Sequence, residues 1–274
     1  MNILDDIKHA YSNATIAEKL IYITLAVFIF SLFGDFISNW FALPSNLESF
    51  ISKPWTILTY GFLHSNFPHV FFNLLFLYYI GDLFLSFFTP KQFLNYFILG
   101  TLVGGIFYLV LNPGSYLVGA SSGIMAVLVG LATKIPTYEI RLNLIGGVKL
   151  WVIALIYILV SIAGLNGLNS GGNIAHLGGA LLGFVYTKQL ERGLDIGKIL
   201  ESIINFFTNA FKPKEKNNLK TVYKKNKIKR KPTHKESNEK QQKINRILDK
   251  ISKSGYESLN KDEKNFLFKS GNKN

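Results

Sequence analysis

The sequence predicts an all-α membrane protein. About six transmembrane helices form a bundle, a long membrane-embedded first loop follows the first of them, and a basic cytoplasmic tail closes the chain. Three observations carry this. Hydrophobic residues make up 49% of the 274 positions, with 23 Phe and a mean hydropathy of +0.23, more apolar than an ordinary soluble domain. Apolar runs of membrane-spanning length recur, separated by turn-rich or charged breaks. The net charge of +13 is lopsided: residues 188–274 hold 23 of the 30 Lys and Arg and 10 of the 17 Asp and Glu, whereas residues 1–187 balance 7 against 7. Cysteine is absent, which excludes disulfides, thiol chemistry and Cys-based metal sites.

The first apolar run is Leu20–Phe36. No small-residue cleavage site follows it and further spans do, so it reads as a span rather than a signal peptide. Residues 37–65, with Trp40, Phe41, Pro44, Pro54 and Trp55, are too long for a tight turn and too apolar for a free linker. Such aromatic residues anchor at headgroup level, so this reads as a partly embedded, structured loop. Further spans are expected at about 68–88, 92–111, 117–135, 149–166 and 173–190, with turn-rich breaks at Pro113-Gly114-Ser115 and Gly164–Gly172. Between spans four and five, Tyr138–Ile145 alternates weakly, as a short hairpin or an interfacial segment would. Basic residues set the orientation. Lys8 and Lys19, then Lys91, then Lys134, Arg141 and Lys149, and finally the tail share one side, and only Lys53 falls on the other. Both termini are therefore expected to be cytoplasmic.

Beyond the spans, Ile199, Leu200, Ile203, Ile204, Phe207 and Phe211 repeat at helical spacing and predict an amphipathic helix on the inner membrane surface. Residues 212–239 are rich in Lys and Asn and predict flexible chain. Ile244, Ile247, Leu248 and Ile251 make a second amphipathic stretch, and Asn260 with Glu263 marks a helix start. The expected organisation is a membrane domain over 1–192, an amphipathic and basic segment over 193–239 and a small helical element over 240–274. A basic tail behind membrane spans favours anionic lipid over nucleic acid, and no nucleic-acid partner is expected.

Polar groups inside spans are expensive and need a reason. His69 and Asn73 open span two, Ser121 opens span four and His176 lies near the start of span six. By the charge argument these three spans enter from the extracytoplasmic side, so the four groups should share one shallow depth. His69 and Asn73 are four residues apart and share a helix face. Ser121 lies in Gly119-Ala120-Ser121-Ser122-Gly123, beside free backbone N–H groups and the positive end of a helix dipole. Gly179 and Gly183 flank the His176 face, and Ala126 with Gly130 continues a small-residue stripe on span four. Facing small stripes let helices approach closely, close enough for His176 to act as general base to a Ser121 nucleophile. The Ser121 N–H, Asn73 and His69 would receive an oxyanion. Each feature alone has a plainer reading as packing or helix glue; their common level favours a site. His64, His69 and His176 have no carboxylate at ligand spacing, so no metal and no organic cofactor is expected.

These residues resemble the rhomboid family of intramembrane serine proteases over roughly residues 15–190. Gly119-Ala120-Ser121-Ser122 matches the family's Gly-x-Ser-Gly, and His69 with Asn73 matches its His-x-x-x-Asn. Ala175, His176, Gly179 and Gly183 match its Ala-His-x-x-Gly-x-x-x-Gly. Trp55 and His64 follow the family's pattern before span two, with Thr56 where many relatives carry Arg. Ser122 replaces the family's glycine, and the spacing to Met125 and Ala126 assigns the nucleophile to Ser121. The resemblance implies a Ser121–His176 dyad, an oxyanion hole of Asn73, His69 and the Ser121 N–H, and substrates that are transmembrane segments of other proteins. It also implies a multi-pass protein of a bacterial cytoplasmic membrane. Two rivals are a non-catalytic relative that binds membrane clients and a transporter or channel. The first would lack a dyad member. The second calls for polar residues right across the bilayer, where this chain has mainly Asp82 outside the one leaflet.

Overall fold

The computed structural model describes residues 3–111, 114–142, 146–202 and 234–271. Two compact units divide the chain, Met1–Lys212 and Pro213–Asn274. In the first unit α1 (Ile3–Asn13) precedes α2 (Ile16–Ser31), which starts on a reciprocal cap: Glu18 N–H donates to Thr15 Oγ1 and Thr15 N–H to Glu18 Oε2.

Residues 36–62 fold into α3 (Phe36–Phe41), α4 (Leu47–Ser52), α5 (Thr56–Thr59) and a 3-10 turn at Tyr60–Phe62. Trp40 and Trp55 hold this loop together. Their rings stack at 6.3 Å, and Trp55 Nε1–H donates to the Trp40 carbonyl at 2.9 Å.

Then come α6 (Phe67–Leu85), α7 (Pro90–Leu111), α8 (Ser121–Lys134), the antiparallel strands β1 (Glu139–Leu142) and β2 (Gly146–Lys149), α9 (Leu150–Ala163) and α10 (Ser170–Glu191). Of the two readings of Tyr138–Ile145, the hairpin is the one found. The chain is helical again from 197 to 202. Ile203, Ile204, Phe207 and Phe211, and residues 212–233, lie outside the described residues.

At the centre is α8, buried at every position from Ser122 to Ala132. Such a helix has no face left for surroundings; α7 and α10 cover most of it, α6 and α9 the rest. The α8–α10 seam is set by backbone. A Cβ on Gly179 would collide with the Ser122 carbonyl, and one on Gly183 with the Ala126 carbonyl.

Among the described residues, α6 and α7 are long and apolar enough to cross a bilayer, while α8 and Leu150–Asn166 are apolar but shorter. The six expected spans are therefore not equivalent helices. The apolar run from 117 does not begin as helix: Leu117 pairs with Leu43 across an isolated bridge, Gly119 takes φ +129°, and α8 starts only at Ser121. α2 carries Glu18 and Lys19 in its first turn, and α10 begins three residues before its expected start, with Ser170, Gly171 and Gly172 in helix.

In the second unit, helices His234–Ser254 and Lys261–Gly271 flank a 3-10 turn at Tyr256–Ser258. Ile247 and Leu259 are buried, whereas Leu248 is exposed. Asn260 and Glu263 cap the last helix reciprocally, each backbone N–H donating to the other's side chain at 2.9 Å.

Candidate active site

Three helix starts build the site. Asn66 caps α6, its Oδ1 accepting from the His69 N–H at 2.9 Å, with Pro68 inside the first turn. Proline there costs no hydrogen bond and fixes the entering chain. This places His69 in the first turn and Asn73 one turn on, where Asn73 Nδ2 donates to the His69 carbonyl at 2.8 Å.

Ser121 is the first residue of α8. The first hydrogen bond into that helix is Ile124 N–H to the Ala120 carbonyl, so the N–H groups of 121–123 have no intrahelical acceptor. His176 enters on the second turn of α10. Its Nε2 lies 2.7 Å from Ser121 Oγ. The contact is short because Gly179, three residues beyond His176, rests on the Ser122 backbone.

Gly119 has two reasons to be glycine. Its φ of +129° is one that side chains rarely adopt, and an added Cβ would stand 2.8 Å from His69 Nε2. The His69 ring thus lies directly on the turn before the serine. Ser65 Oγ reaches His69 Nδ1 at 3.1 Å from behind, and the His64 ring meets the His69 ring edge-on at 4.8 Å. Gly123 sits against Phe97 and Thr101, where a Cβ would come within 2.8 Å of both.

Ser121 and Ser122 face different surroundings. Ser121 opens onto a cleft of about 190 Å³ that His69, Asn73, Met125, Tyr157, Asn169 and His176 also line. Ser122 is 1% exposed, and its Oγ pairs with the Tyr60 hydroxyl at 2.8 Å. Tyr60 also donates its hydroxyl to the Thr101 carbonyl at 2.7 Å and accepts at its own carbonyl from the Gly119 N–H at 3.0 Å. One loop residue thus holds the serine turn at both ends.

Several residues around the site lie outside the motifs of the sequence. Tyr60 stands in the loop before α6 with no motif to mark it. Gly100 and Gly104 on α7 have the four-residue spacing of a close-packing pair, and a Cβ on either would collide with α8. Ser161 on α9 reaches the far side of His176, its Oγ 3.2 Å from Nδ1. Phe76 and Tyr157 meet at 5.3 Å and join α6 to α9 beside the cleft.

The family model for the Rhomboid domain matches residues 52–192, a stretch that holds every residue of the cleft. The chain belongs to the rhomboid family. As a rhomboid it is a membrane-embedded protein. A curated relative, Rhomboid-like protease 3 of Toxoplasma gondii, is 25% identical over 145 residues, covering 50% of this chain and 53% of the relative. The chain therefore spans about half the length of the curated relative it matches. Outside the rhomboid region, a family of unknown function (DUF6576) matches residues 233–269, the two-helix element of the tail.

Among the described residues no group of three or more His, Asp or Glu is arranged to hold a metal ion. The cleft presents the Ser121 and Tyr157 hydroxyls, the His69 and His176 imidazoles, the Asn73 and Asn169 amides and the free N–H groups of a helix start.

Proposed function

We propose that this rhomboid is an intramembrane serine endopeptidase that cleaves other membrane proteins in or near their transmembrane segments. The observation that carries the reading is the 2.7 Å contact between Ser121 Oγ and His176 Nε2, made between two helices whose glycine seam leaves little freedom to part. In the reaction Ser121 Oγ attacks the scissile carbonyl as its proton passes to His176 Nε2. The negative charge on the carbonyl oxygen is met by N–H groups at the start of α8, by the second Asn73 N–H and by His69. Collapse returns the His176 proton to the leaving amine, and water admitted to the cleft then releases the acyl chain by the reverse sequence.

We also propose that α2, α6, α7, α8, α9 and α10 cross the bilayer with both termini in the cytoplasm. α8, at 14 residues, reaches about 21 Å, short of a hydrocarbon core of about 30 Å. Ser121 would then lie below the outer headgroups, within reach of water through the cleft. A helical substrate presents no free carbonyl, so substrates are expected to carry small or helix-breaking residues near the cut. The basic tail would lie against anionic lipid on the cytoplasmic face.

The test is a fluorophosphonate label on the full chain, together with cleavage of a reporter transmembrane substrate in liposomes. The label is expected on Ser121. Ser121→Ala should abolish labelling and cleavage, while Ser122→Ala, which changes a side chain turned towards Tyr60, should keep both. Labelling of Ser122 would move the nucleophile. No labelling and no cleavage by the wild-type chain would favour a client-binding rhomboid instead.

A further inference from the structure

We propose that Ser161 is a positioning residue that selects the productive tautomer of His176; this rests on the reading of Ser121 and His176 as a dyad. Ser161 lies on α9, on the opposite side of the imidazole from Ser121. It is 1% exposed, and its Oγ stands 2.9 Å from the Tyr157 carbonyl and 3.2 Å from His176 Nδ1. A serine hydroxyl has one proton and two lone pairs. The carbonyl can only accept, and it is the nearer neighbour, so the proton is given to Tyr157 and Oγ is left as an acceptor. The hydrogen bond to the ring must then be Nδ1–H to Ser161 Oγ. That leaves the Nε2 lone pair facing Ser121 Oγ at 2.7 Å, the arrangement a general base needs. The other tautomer would turn Ser121 Oγ into an acceptor of Nε2–H, leaving no base for its proton, and would strand a bare Nδ1 against a hydroxyl already committed elsewhere.

The consequence continues through the reaction. When His176 takes the Ser121 proton, both ring nitrogens carry hydrogen, and the Nδ1–H keeps its acceptor throughout. A neutral hydroxyl thus fills the orienting place that a carboxylate takes in other serine hydrolases. The titratable groups facing this imidazole are His69 from α6 and the Tyr157 phenol from α9; α7, α8 and α10 present none. Among the described residues no second protein acceptor lies within hydrogen-bond distance of Nδ1. A serine that merely back-bonds to its own helix would have no need of this ring, and the test separates the two roles.

The experiment uses the full chain in lipid nanodiscs with ¹⁵N-labelled histidine, His176 being assigned by difference from His176→Ala. The wild-type spectrum is expected to show protonated Nδ1 and bare Nε2 at His176. Ser161→Ala should give mixed tautomers and lower kcat about ten- to a hundredfold, with KM changed by less than about twofold, as expected for lost orientation of a general base. Ser161→Thr keeps the hydroxyl and the back-bond and should restore both readings. A wild-type ring protonated at Nε2 would overturn the proposal. So would Ser161→Ala with an unchanged tautomer, whether or not turnover falls, because Ser161 would then only pack. A wild-type chain that neither labels nor cleaves would sink the protease reading, while the ring-nitrogen spectrum would still decide what Ser161 does to His176.

Discussion

Replacing Gly179 by alanine should separate Ser121 from His176 without altering either residue. Gly179 follows His176 by three positions and shares its face of α10. An ideal Cβ there overlaps the Ser122 carbonyl oxygen and lies 3.2 Å from Ser122 Cα. The obstacle is backbone in the first turn of α8, so no rotamer change relieves it. Nor can α10 slide towards α7, because Gly178 already rests on the Val103 carbonyl and the Gly104 Cα. The helices must part, and the movement falls on the 2.7 Å Ser121–His176 contact. Overpacking of this kind costs about 1–3 kcal/mol. A displacement of about 1 Å between reacting groups costs about a hundredfold in rate. Thermal unfolding, fluorophosphonate labelling rate and kcat/KM on a transmembrane reporter should be measured on the same preparation. The expected result is a lowered Tm, helical content retained, and labelling and kcat/KM both down by about two orders of magnitude. A labelling rate within about twofold of wild type would refute the reasoning, for the seam would then not be what fixes the Ser121–His176 distance.

Three further outcomes are expected. Asn73→Ala should lower kcat by about 10²- to 10³-fold with little change in KM, the loss typical of one oxyanion donor; retention of kcat would remove Asn73 from the site. Tyr60→Phe deletes the hydroxyl shared by the Thr101 carbonyl and Ser122 Oγ and should destabilise the membrane domain by about 1–3 kcal/mol, the cost of leaving buried partners unmade. An unchanged unfolding temperature would show that the hydroxyl does not hold the serine turn. In the tail, the Lys250 ammonium, 2.9 Å from Glu263 Oε2, and the backbone N–H of Asn260 hold the Glu263 carboxyl below its usual 4.5. A lowered folded value means that the stabilisation is present at neutral pH and is lost as pH falls below 4.5 towards the folded value. The protection factors of amides over 261–271, corrected for the intrinsic pH dependence of exchange, should therefore fall on acidification in the full chain, and Lys250→Gln should flatten that dependence; identical pH dependence in both proteins would exclude the pair as its cause.

The legible parts of this chain are those whose signal is local. His69 and Asn73, four residues apart at the opening of span two, state a helix start and the face it presents. Asn260 and Glu263 state another helix start. The apolar runs located α6 and α7 to within a few residues, because nothing inside them competes with helix. The run from 117 misled for a specific reason. Leu117 and Val118 are as hydrophobic as the helix that follows, but Leu117 is spent on a bridge to Leu43 and Gly119 turns the chain, neither of which hydropathy registers. The interior of loop 37–65 was equally hidden, since its short helices are stabilised by contacts such as Trp40–Trp55 rather than by any periodicity.

Within the site, Ser121, His69, Asn73 and His176 stand out because a polar side chain in an apolar run demands an explanation. Ser161 also sits in an apolar run, yet it made no such demand. A serine that can bond to the carbonyl four residues back satisfies itself within its own helix, so its presence costs little and signals little. What gives it significance is the rotation of α10 about its axis, which points His176 Nδ1 at α9, and that rotation is fixed by Gly179 and Gly183 meeting the α8 backbone. The same holds for Tyr60, whose two ends matter only because Gly119 and Ser122 are folded to within its length. Residues that react can be recognised by what they cost; residues that orient them become visible only when the helix-to-helix geometry is known, because their partners are set by the phase of another helix.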